Sequence, residues 1–220
     1  MNIKINKTEF NELTKVKSYI VGSKLYKTDN PDSDTDYLVI YEPIGDSDIY
    51  YPNYHQLQYD CIDSNSQYIC ITKRQFYKNL FSGDSTINAD VVMFYNEYTD
   101  SEKLNICRTY NIIKAFIGFV KRDIRFLSQN RSSLFHVNRG LYCTEKLLKN
   151  ELPLLEDIKN LNICSDIHKL IEKNDSLRKE MNKLYESNVL TLYPKEIICP
   201  IVSELEKKIV ESNNIKEFRY

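Results

Sequence analysis

Apolar and polar residues alternate along much of the first hundred residues, and this alternation predicts β-strands. Successive side chains of a strand point to opposite faces of a sheet, so a strand with one buried face repeats every two residues. We expect strands at residues 18–21 and 36–41. Residues 54–62 and 67–71 are expected to pair as a hairpin across a turn of Asp, Ser and Asn residues.

Short helices are expected around these strands. Residues 8–17 predict a short helix that leads into the first strand. The sequence from Thr72 to Gln75 has the form of a capping box, which predicts a helix over residues 72–81. Residues 87–95 are compatible with either a strand or a short helix.

Apolar residues recur every three or four positions from residue 100 onward, which is typical of helices that bury one face. One apolar stripe covers residues 106–124, and a second helix is expected over residues 134–148. Pro153 interrupts the pattern. Further helices are expected near residues 164–173, 176–186 and 195–210.

This order of elements predicts an α+β protein, in which a small mixed β-sheet with flanking helices precedes a helical C-terminal half. We place an α/β domain at residues 1–99 and a helical domain at residues 100–220. The six cysteines contain no CxxC pair, so reduced and mostly buried thiols are expected rather than zinc ligands or disulfides. No apolar stretch is long enough to span a bilayer, so no membrane partner is expected.

Charge is distributed unevenly, although the net charge is only −1. Residues 29–66 hold nine acids and no Lys or Arg, whereas residues 103–149 hold ten bases and two acids. Such runs are usually solvated faces. The alternative interpretation is that the acidic half holds a metal and the basic half meets phosphates.

The strongest candidate for chemistry is a glycine–serine pair followed by two aspartates at the start of a predicted strand. Gly22 and Ser23 follow the first strand, and Asp34 and Asp36 precede an apolar run. Alternate residues of a strand project from the same side, so the two carboxylates are close enough to share cations. Mg²⁺ binds through one or two carboxylates plus substrate phosphates, and glycine lets the backbone approach a phosphate. This pattern indicates the metal and triphosphate site of a nucleotidyltransferase.

Two other interpretations fit the aspartates less well. Asp32, Asp34 and Asp36 have the spacing that opens an EF-hand loop, but Tyr37 stands where that loop needs glycine and Pro43 where it needs glutamate. In the second interpretation, the aspartates form an acidic surface turn before an ordinary strand. The order of strand, Gly-Ser, polar connection, Asp-x-Asp and strand favours the nucleotidyltransferase.

The segment from Gly22 to Asp36 resembles the signature of the DNA polymerase β nucleotidyltransferase superfamily. It is most similar to the branch of predicted nucleotidyltransferases associated with RNA ligases and RNA repair, which includes phage members. Residues 76–91 and 136–141 resemble later stretches of that branch, so that the resemblance covers about residues 18–150. It implies a cytoplasmic protein of a bacterium or a phage-infected cell.

The resemblance implies transfer of an NMP from an NTP to a hydroxyl of RNA, another nucleic acid or a small acceptor, with Mg²⁺ or Mn²⁺ as cofactor. Asp34 and Asp36 would bridge two metal ions, one holding the triphosphate and one activating the acceptor hydroxyl. Gly22 and Ser23 would position the leaving pyrophosphate. Lys24 would neutralise charge nearby, although a solvated lysine is equally expected.

Sites of this kind carry a third carboxylate on a neighbouring strand, and Gln67 stands where the resemblance implies that acid. Asp60 is the preferred substitute because it lies within the predicted hairpin strand, whereas Asp63 begins the turn. Asp90 matches a later acid of the branch, and a capping or orienting role is an alternative for it. Without a third ligand the chain would be a degenerate relative that binds a nucleotide, a nucleic acid or a protein without catalysis.

His136 and Arg139 lie three residues apart and share one face of a predicted helix. In the functional interpretation Arg139 contacts a phosphate and His136 a base or ribose. The alternative is that both are ordinary surface residues, or that His136 is a partly buried imidazole. A third hypothesis is a nucleic-acid-binding accessory protein that uses the basic segment at residues 103–149.

Overall fold

A computed structural model describes residues 3–42, 56–127 and 133–192 of the protein. It confirms the predicted α+β class, because a five-stranded mixed sheet with flanking helices is followed by helices in the C-terminal half of the described residues. The strands are β1 (Ile3–Lys4), β2 (Thr14–Val21), β3 (Thr35–Glu42), β4 (Leu57–Cys61) and β5 (Ser66–Thr72). The helices are α1 (Lys7–Glu12), α2 (Gly22–Tyr26), α3 (Lys73–Ser82), α4 (Thr86–Phe94), α5 (Asp100–Cys107), α6 (Tyr110–Leu127), α7 (Leu134–Leu148), α8 (Leu155–Lys159) and α9 (Ile167–Glu186).

The sheet has the order β1-β4-β5-β3-β2. Strand β3 is parallel to β5 and antiparallel to β2, and β5 forms the predicted antiparallel hairpin with β4. Asp36 on β3 lies opposite Val21 on one side and Gln67 on the other, and Gln67 lies opposite Asp60 on β4. These positions form one row across the sheet, so their side chains project from the same face.

The first helix is shorter and the first long strand longer than the sequence indicated. Helix α1 ends at Glu12 rather than near Lys17, and β2 begins at Thr14 rather than at Ser18. The expectation of a helix to Lys17 was therefore wrong. The β-branched residues Thr14 and Val16 favour a strand, and pairing extends along β3 as far as Glu42.

The ambiguous segment at residues 87–95 is helix α4, which is buried nearly all round and includes the buried polar residues Thr86, Asn88 and Asp90. The predicted stripe over residues 106–124 is divided, since α5 ends at Cys107 and α6 begins at Tyr110. The helices expected at residues 164–173 and 176–186 are the single helix α9, whose buried stripe is unbroken. The helix expected at residues 195–210 lies outside the described residues.

The sheet separates two groups of apolar side chains. Leu38 and Ile40 point to the face that packs against the helices, and belong to a cluster that extends from Tyr19 to Leu190. Both predicted domains contribute side chains to this cluster. Val39 points to the opposite face, where Phe10 of α1 packs nearby. Asp36 alternates in step with Leu38 and Ile40, so the fold places its carboxylate on the helix-facing side.

None of the helices within the described ranges has both the length and the apolar character needed to cross a membrane.

Candidate metal and nucleotide cleft

A cleft of about 750 Å³ lies between the helix-facing side of the sheet and helices α4, α6 and α7. Asp36, Gly22 and Gln67 come from the sheet side of this cleft. The helical wall carries both charged and apolar side chains. The members of that wall used below are Asp90, Phe119, Arg122, Asp123, His136 and Arg139.

Gly22 lies against Asp36 at the end of β2. Gly22 has a φ of +68°, and a β-carbon at this position would lie 2.5 Å from Asp36 Oδ2. Any other residue would therefore be strained in its backbone and would collide with the carboxylate. The sequence predicted that this glycine lets the backbone approach a phosphate, which stays a prediction; the close approach seen in the structure is to the Asp36 carboxylate.

Asp34 and Asp36 are near enough to affect each other electrostatically. Asp36 is half-buried within β3, and Asp34 is exposed immediately before that strand. Burial raises the pKa of Asp36, and the negative charge of Asp34 raises it further. A divalent cation between the carboxylates would relieve this repulsion, which is the electrostatic property expected of a metal-binding pair.

Ser23 and Lys24 have structural contacts in helix α2. The carbonyl oxygen of Ser23 accepts the N–H of Thr28 at 3.0 Å, and Ser23 is not among the residues that line the cleft. Lys24 Nζ donates to Thr35 Oγ1 at 2.6 Å. Thr35 is adjacent to Asp36 on β3, so its side chain projects from the opposite face of the sheet, and Lys24 is not among the residues that line the cleft.

Gln67 occupies the position beside Asp36, and Asp60 lies one strand further away. With strands about 4.8 Å apart, the α-carbons of Asp60 and Asp36 are separated by about 10 Å. Asp60 is exposed, accepts Gln67 Nε2 at 3.2 Å and pairs with Lys4 at 3.2 Å. Hydrogen bonds from Gln58 and Lys4 lower the pKa of Asp60. The structure therefore does not bring Asp60, the preferred third carboxylate, to the cleft.

Asp63 is also away from the cleft, where it is highly exposed and lies 3.9 Å from Lys7 Nζ. In the parts of the chain that the structure describes, no three His, Cys, Asp or Glu side chains are grouped so that they could hold a metal ion. The candidate metal ligands are therefore the carboxylate of Asp36, which lines the cleft, and that of Asp34, which is exposed just before β3 and is not among the residues that line the cleft.

Asp90 and Arg139 form a buried ion pair at the base of the cleft. Arg139 Nη1 lies 2.7 Å from Asp90 Oδ2, and the exposed fractions of their side chains are 12% and 4%. Tyr26 Oη donates to the same carboxylate oxygen at 2.6 Å and also contacts Arg139 Nη1. Burial raises the pKa of Asp90, and the charge of Arg139 opposes this shift. The orienting role left open for Asp90 is the one that its contacts favour.

One interpretation of the sequence predicted that the Arg139 side chain contacts a phosphate, but its guanidinium is already bonded within the protein. Its Nη1 is engaged by Asp90 and Tyr26, and its Nε is buried without a hydrogen-bond partner. The guanidinium also lies over the Tyr26 ring, 4.7 Å from the ring centroid. Arg139 does line the cleft, as the sequence predicted. Its contacts, however, are those of a residue that holds α7 against α2 and α4.

His136 lies one helical turn before Arg139 and lines the same cleft with an exposed side chain. Partial desolvation lowers the pKa of His136, and the positive charge of Arg139 lowers it further. The imidazole is therefore neutral at pH 7 and can accept a hydrogen bond from a base or a ribose.

Sequence reasoning missed Arg122 and Asp123 on α6. Asp123 is buried and accepts Arg122 Nε and Nη2 at 2.9 and 2.7 Å. A signal was present, because Phe116, Val120 and Asp123 follow the helical spacing of a buried face. An acid on a buried stripe is unusual without a partner, and here it marks the wall of the cleft.

Comparison with known proteins identifies no relative, since no family model, no curated protein and no solved structure matches the chain.

Proposed function

We propose that the protein is a metal-dependent nucleotidyltransferase that transfers an NMP from an NTP to a hydroxyl acceptor. The observation that carries the proposal is the contact between Gly22 and Asp36 in an open cleft, with the charge of Asp34 close enough to act on Asp36. The cleft volume of about 750 Å³ lies in the range of small-molecule sites. The resemblance of residues 22–36 to the superfamily signature supports the same activity.

The donor set suits Mg²⁺ or Mn²⁺. Both are hard cations that favour carboxylate oxygens, and Mg²⁺ commonly completes its coordination with water and substrate phosphates. Asp34 and Asp36 would hold the cation. When bound, it would supply positive charge to the triphosphate and lower the pKa of the acceptor hydroxyl.

The side chains of the cleft would position the nucleotide and handle the proton. An acceptor oxygen attacks the α-phosphorus, a new O–P bond forms, and the bond to the β-phosphate breaks with release of pyrophosphate. Asp36 is the candidate acceptor for the hydroxyl proton because its carboxylate lines the cleft beside the proposed cation site. His136 and Arg122 extend from the opposite wall, where they could contact the nucleotide.

A second candidate function is a catalytically degenerate protein that binds a nucleotide, a nucleic acid or a protein. The observation that favours it is Gln67, a neutral amide on the strand next to Asp36. An amide binds a divalent cation more weakly than a carboxylate does. Such a protein would bind NTP and metal at the Asp34–Asp36 pair without releasing pyrophosphate.

We also propose that the protein works in the cytoplasm of a bacterium or a phage-infected cell. Three buried cysteines support this proposal, since Cys70, Cys107 and Cys143 are unpaired thiols. Unpaired cysteines are typical of a reducing compartment, where NTPs are also available.

The function can be tested by incubation with each labelled NTP and Mg²⁺ or Mn²⁺, with and without RNA. We expect pyrophosphate release by the wild type and none by the Asp34→Ala/Asp36→Ala variant. The matched control is Asp29→Ala/Asp32→Ala, which removes two exposed acids from the same connection. Equal release by the wild type and the Asp34→Ala/Asp36→Ala variant would reject the assignment. If the wild type binds the nucleotide but releases no pyrophosphate, and the Asp34→Ala/Asp36→Ala variant does not bind it, the protein is the catalytically degenerate one.

A further inference from the structure

Helix α6 presents a row of basic side chains to solvent. Lys114, Lys121, Arg122 and Arg125, here called the basic ridge, are all exposed. The spacing of Lys114, Lys121 and Arg125 places them on one side of the helix. The only acid of α6 is Asp123, which is buried and bonded to Arg122. Within the described residues, neither Lys114 nor Lys121 forms an ion pair with a carboxylate.

Gly118 lies in the middle of the basic ridge. It is exposed, and a β-carbon at this position would meet no atom within 4 Å. The contacts that the structure describes therefore do not require glycine here, although glycine weakens a helix interior relative to alanine. A glycine between cationic side chains leaves the helix backbone open to close approach from outside.

The basic ridge adjoins the cleft. Arg122 and Phe119 line the cleft, and the Arg122 guanidinium lies 4.5 Å from the centroid of the Phe119 ring. From Lys114 to Arg125 the helix axis advances by about 16 Å at 1.5 Å per residue. A chain of phosphates lying along the basic ridge would therefore reach the wall of the cleft at Arg122.

We propose that the exposed side of α6 binds the sugar–phosphate backbone of a single-stranded nucleic acid and leads its end to the cleft. The regular cationic row complements a polyanion, and Gly118 allows a backbone phosphate to lie close to the helix. Phe119 and Arg122 provide surfaces on which a terminal base can stack. The role of this strand as the acceptor of an NMP rests on the proposed function, whereas its binding does not.

The binding is tested by fluorescence anisotropy with labelled twelve-nucleotide RNA and DNA strands in the absence of NTP. We expect Lys114→Gln/Lys121→Gln to weaken binding about ten-fold. The salt slope should fall by about 1.4, at about 0.7 for each phosphate that a lysine no longer neutralises. The matched control is Lys179→Gln/Lys183→Gln, which removes two exposed lysines from α9 and should change affinity less than two-fold. An equal decrease in affinity for the two variants, or no decrease for the first, would overturn the proposal.

RNA and DNA share a sugar–phosphate backbone, so the RNA and DNA oligonucleotides are compared to find which of them the protein binds. If the protein binds the RNA strand more tightly than the DNA strand, and Lys114 and Lys121 are needed for this binding, its ligand is RNA. Equal affinity for the two strands would show that the protein contacts only the phosphates. Polyglutamate serves as a decoy of the same charge sign. If it competes as strongly as the oligonucleotides, the row is a general anion surface and the proposal is wrong.

The role of Gly118 is tested by Gly118→Ala and Gly118→Leu. Both residues favour helices and have open space in front of them, so both variants should melt at a higher temperature than the wild type. Binding should nevertheless decrease from Gly to Ala to Leu because the side chain blocks the phosphate backbone. Unchanged binding by Gly118→Leu would remove Gly118 from the proposed surface.

Failure of this inference can be separated from failure of the proposed function. Asp36→Asn should abolish pyrophosphate release and leave the affinity for the oligonucleotide within two-fold of the wild type. Oligonucleotide binding that depends on Lys114 and Lys121 therefore supports the inference even if no pyrophosphate is released. Release with no such binding would contradict the inference and leave the proposed function in place.

Discussion

Gly22 and Asp36 are so close that a single added methyl group would place a carbon 2.5 Å from a carboxylate oxygen. The two residues lie on neighbouring elements, Gly22 where β2 ends and Asp36 on β3. The absence of a side chain at Gly22 therefore helps to determine where the Asp36 carboxylate lies. The proposed metal site depends on this relationship.

Replacement of Gly22 by alanine should disturb both the fold and the site. A β-carbon at a φ of +68° costs about 1–2 kcal/mol, and the collision with Asp36 adds to this cost. A loss of about 2 kcal/mol lowers the melting temperature by roughly 4–8 °C in a protein of this size. Calorimetry of Gly22→Ala measures this change. Gly118→Ala is the control, because its site is open and a small stabilisation is expected there; similar melting temperatures for the two variants would contradict the contact.

Replacement of Asp36 by asparagine should stabilise the metal-free protein at neutral pH. The pKa of Asp36 is raised in the folded state, mainly by burial, so the folded protein binds its proton more tightly than the unfolded chain does. The ionised carboxylate therefore costs stability above the raised pKa, and this cost disappears as the pH falls towards the ordinary aspartate value of 3.8. Thermal melts of Asp36→Asn from pH 4 to pH 8 should show a gain over the wild type that grows with pH.

The control for this pH series is Asp63→Asn, which removes a highly exposed acid from the hairpin turn. It should change the melting temperature by about 1 °C or less at every pH, as exposed charges contribute little. An Asp36→Asn protein that is less stable than the wild type at pH 7 would show that the carboxylate stabilises the fold.

Removal of Asp90 should be strongly destabilising. Asp90→Ala leaves the guanidinium of Arg139 buried without its 2.7 Å partner, and such changes cost about 3–5 kcal/mol. The exposed pair of Asp63 and Lys7 provides the control, since Asp63→Ala should cost less than about 1 kcal/mol. The measurement is urea denaturation of both variants.

Asp90→Asn keeps an oxygen that can accept from Arg139, so it should be destabilised less than Asp90→Ala and remain folded. Asp90→Ala/Arg139→Met removes the unpaired charge and should recover part of the lost stability. If Asp90→Ala is as mild as Asp63→Ala, Asp90 does not anchor the wall of the cleft.

A glutamate at position 67 should strengthen metal binding. Gln67 lies opposite Asp36 in the register of β3 and β5, so Gln67→Glu places a third carboxylate beside the pair. Gln58→Glu is the matched control, because it adds the same charge next to Asp60 but one strand further from Asp36. Titration with Mn²⁺ should show tighter binding by Gln67→Glu than by Gln58→Glu. Tighter binding with pyrophosphate release that rises from background would indicate that Gln67 is what limits catalysis.

The local parts of this fold could be predicted from the sequence. The helix after Thr72 and the strand containing Asp36 depend on capping chemistry and alternation within a few residues, and the structure confirms both. The extent of β2 could not be predicted in the same way. Thr14 to Lys17 becomes a strand because it pairs with the far end of β3, and that pairing is a tertiary effect.

The candidate site also has a local part that the sequence predicts and a long-range part that it does not. The proximity of Asp34 and Asp36 follows from their separation by a single residue at the start of β3, whereas the buried contact of Asp90 with Arg139 joins residues 49 positions apart. Its third member, Tyr26, is 113 positions from Arg139. No pattern within one segment indicates such a contact, so the sequence left Arg139 open between a phosphate ligand and an ordinary surface residue, whereas its guanidinium is bonded within the protein.

The central claim is that Asp34 and Asp36 hold a divalent cation together with a nucleoside triphosphate. The most direct measurement is electron paramagnetic resonance of Mn²⁺ titrated with a non-hydrolysable NTP analogue and either the wild type or the Asp34→Asn/Asp36→Asn variant. We expect the wild type to immobilise Mn²⁺ more tightly with the analogue present, and the variant to give the spectrum of Mn²⁺ and analogue without protein. Equal immobilisation by both proteins would contradict the claim.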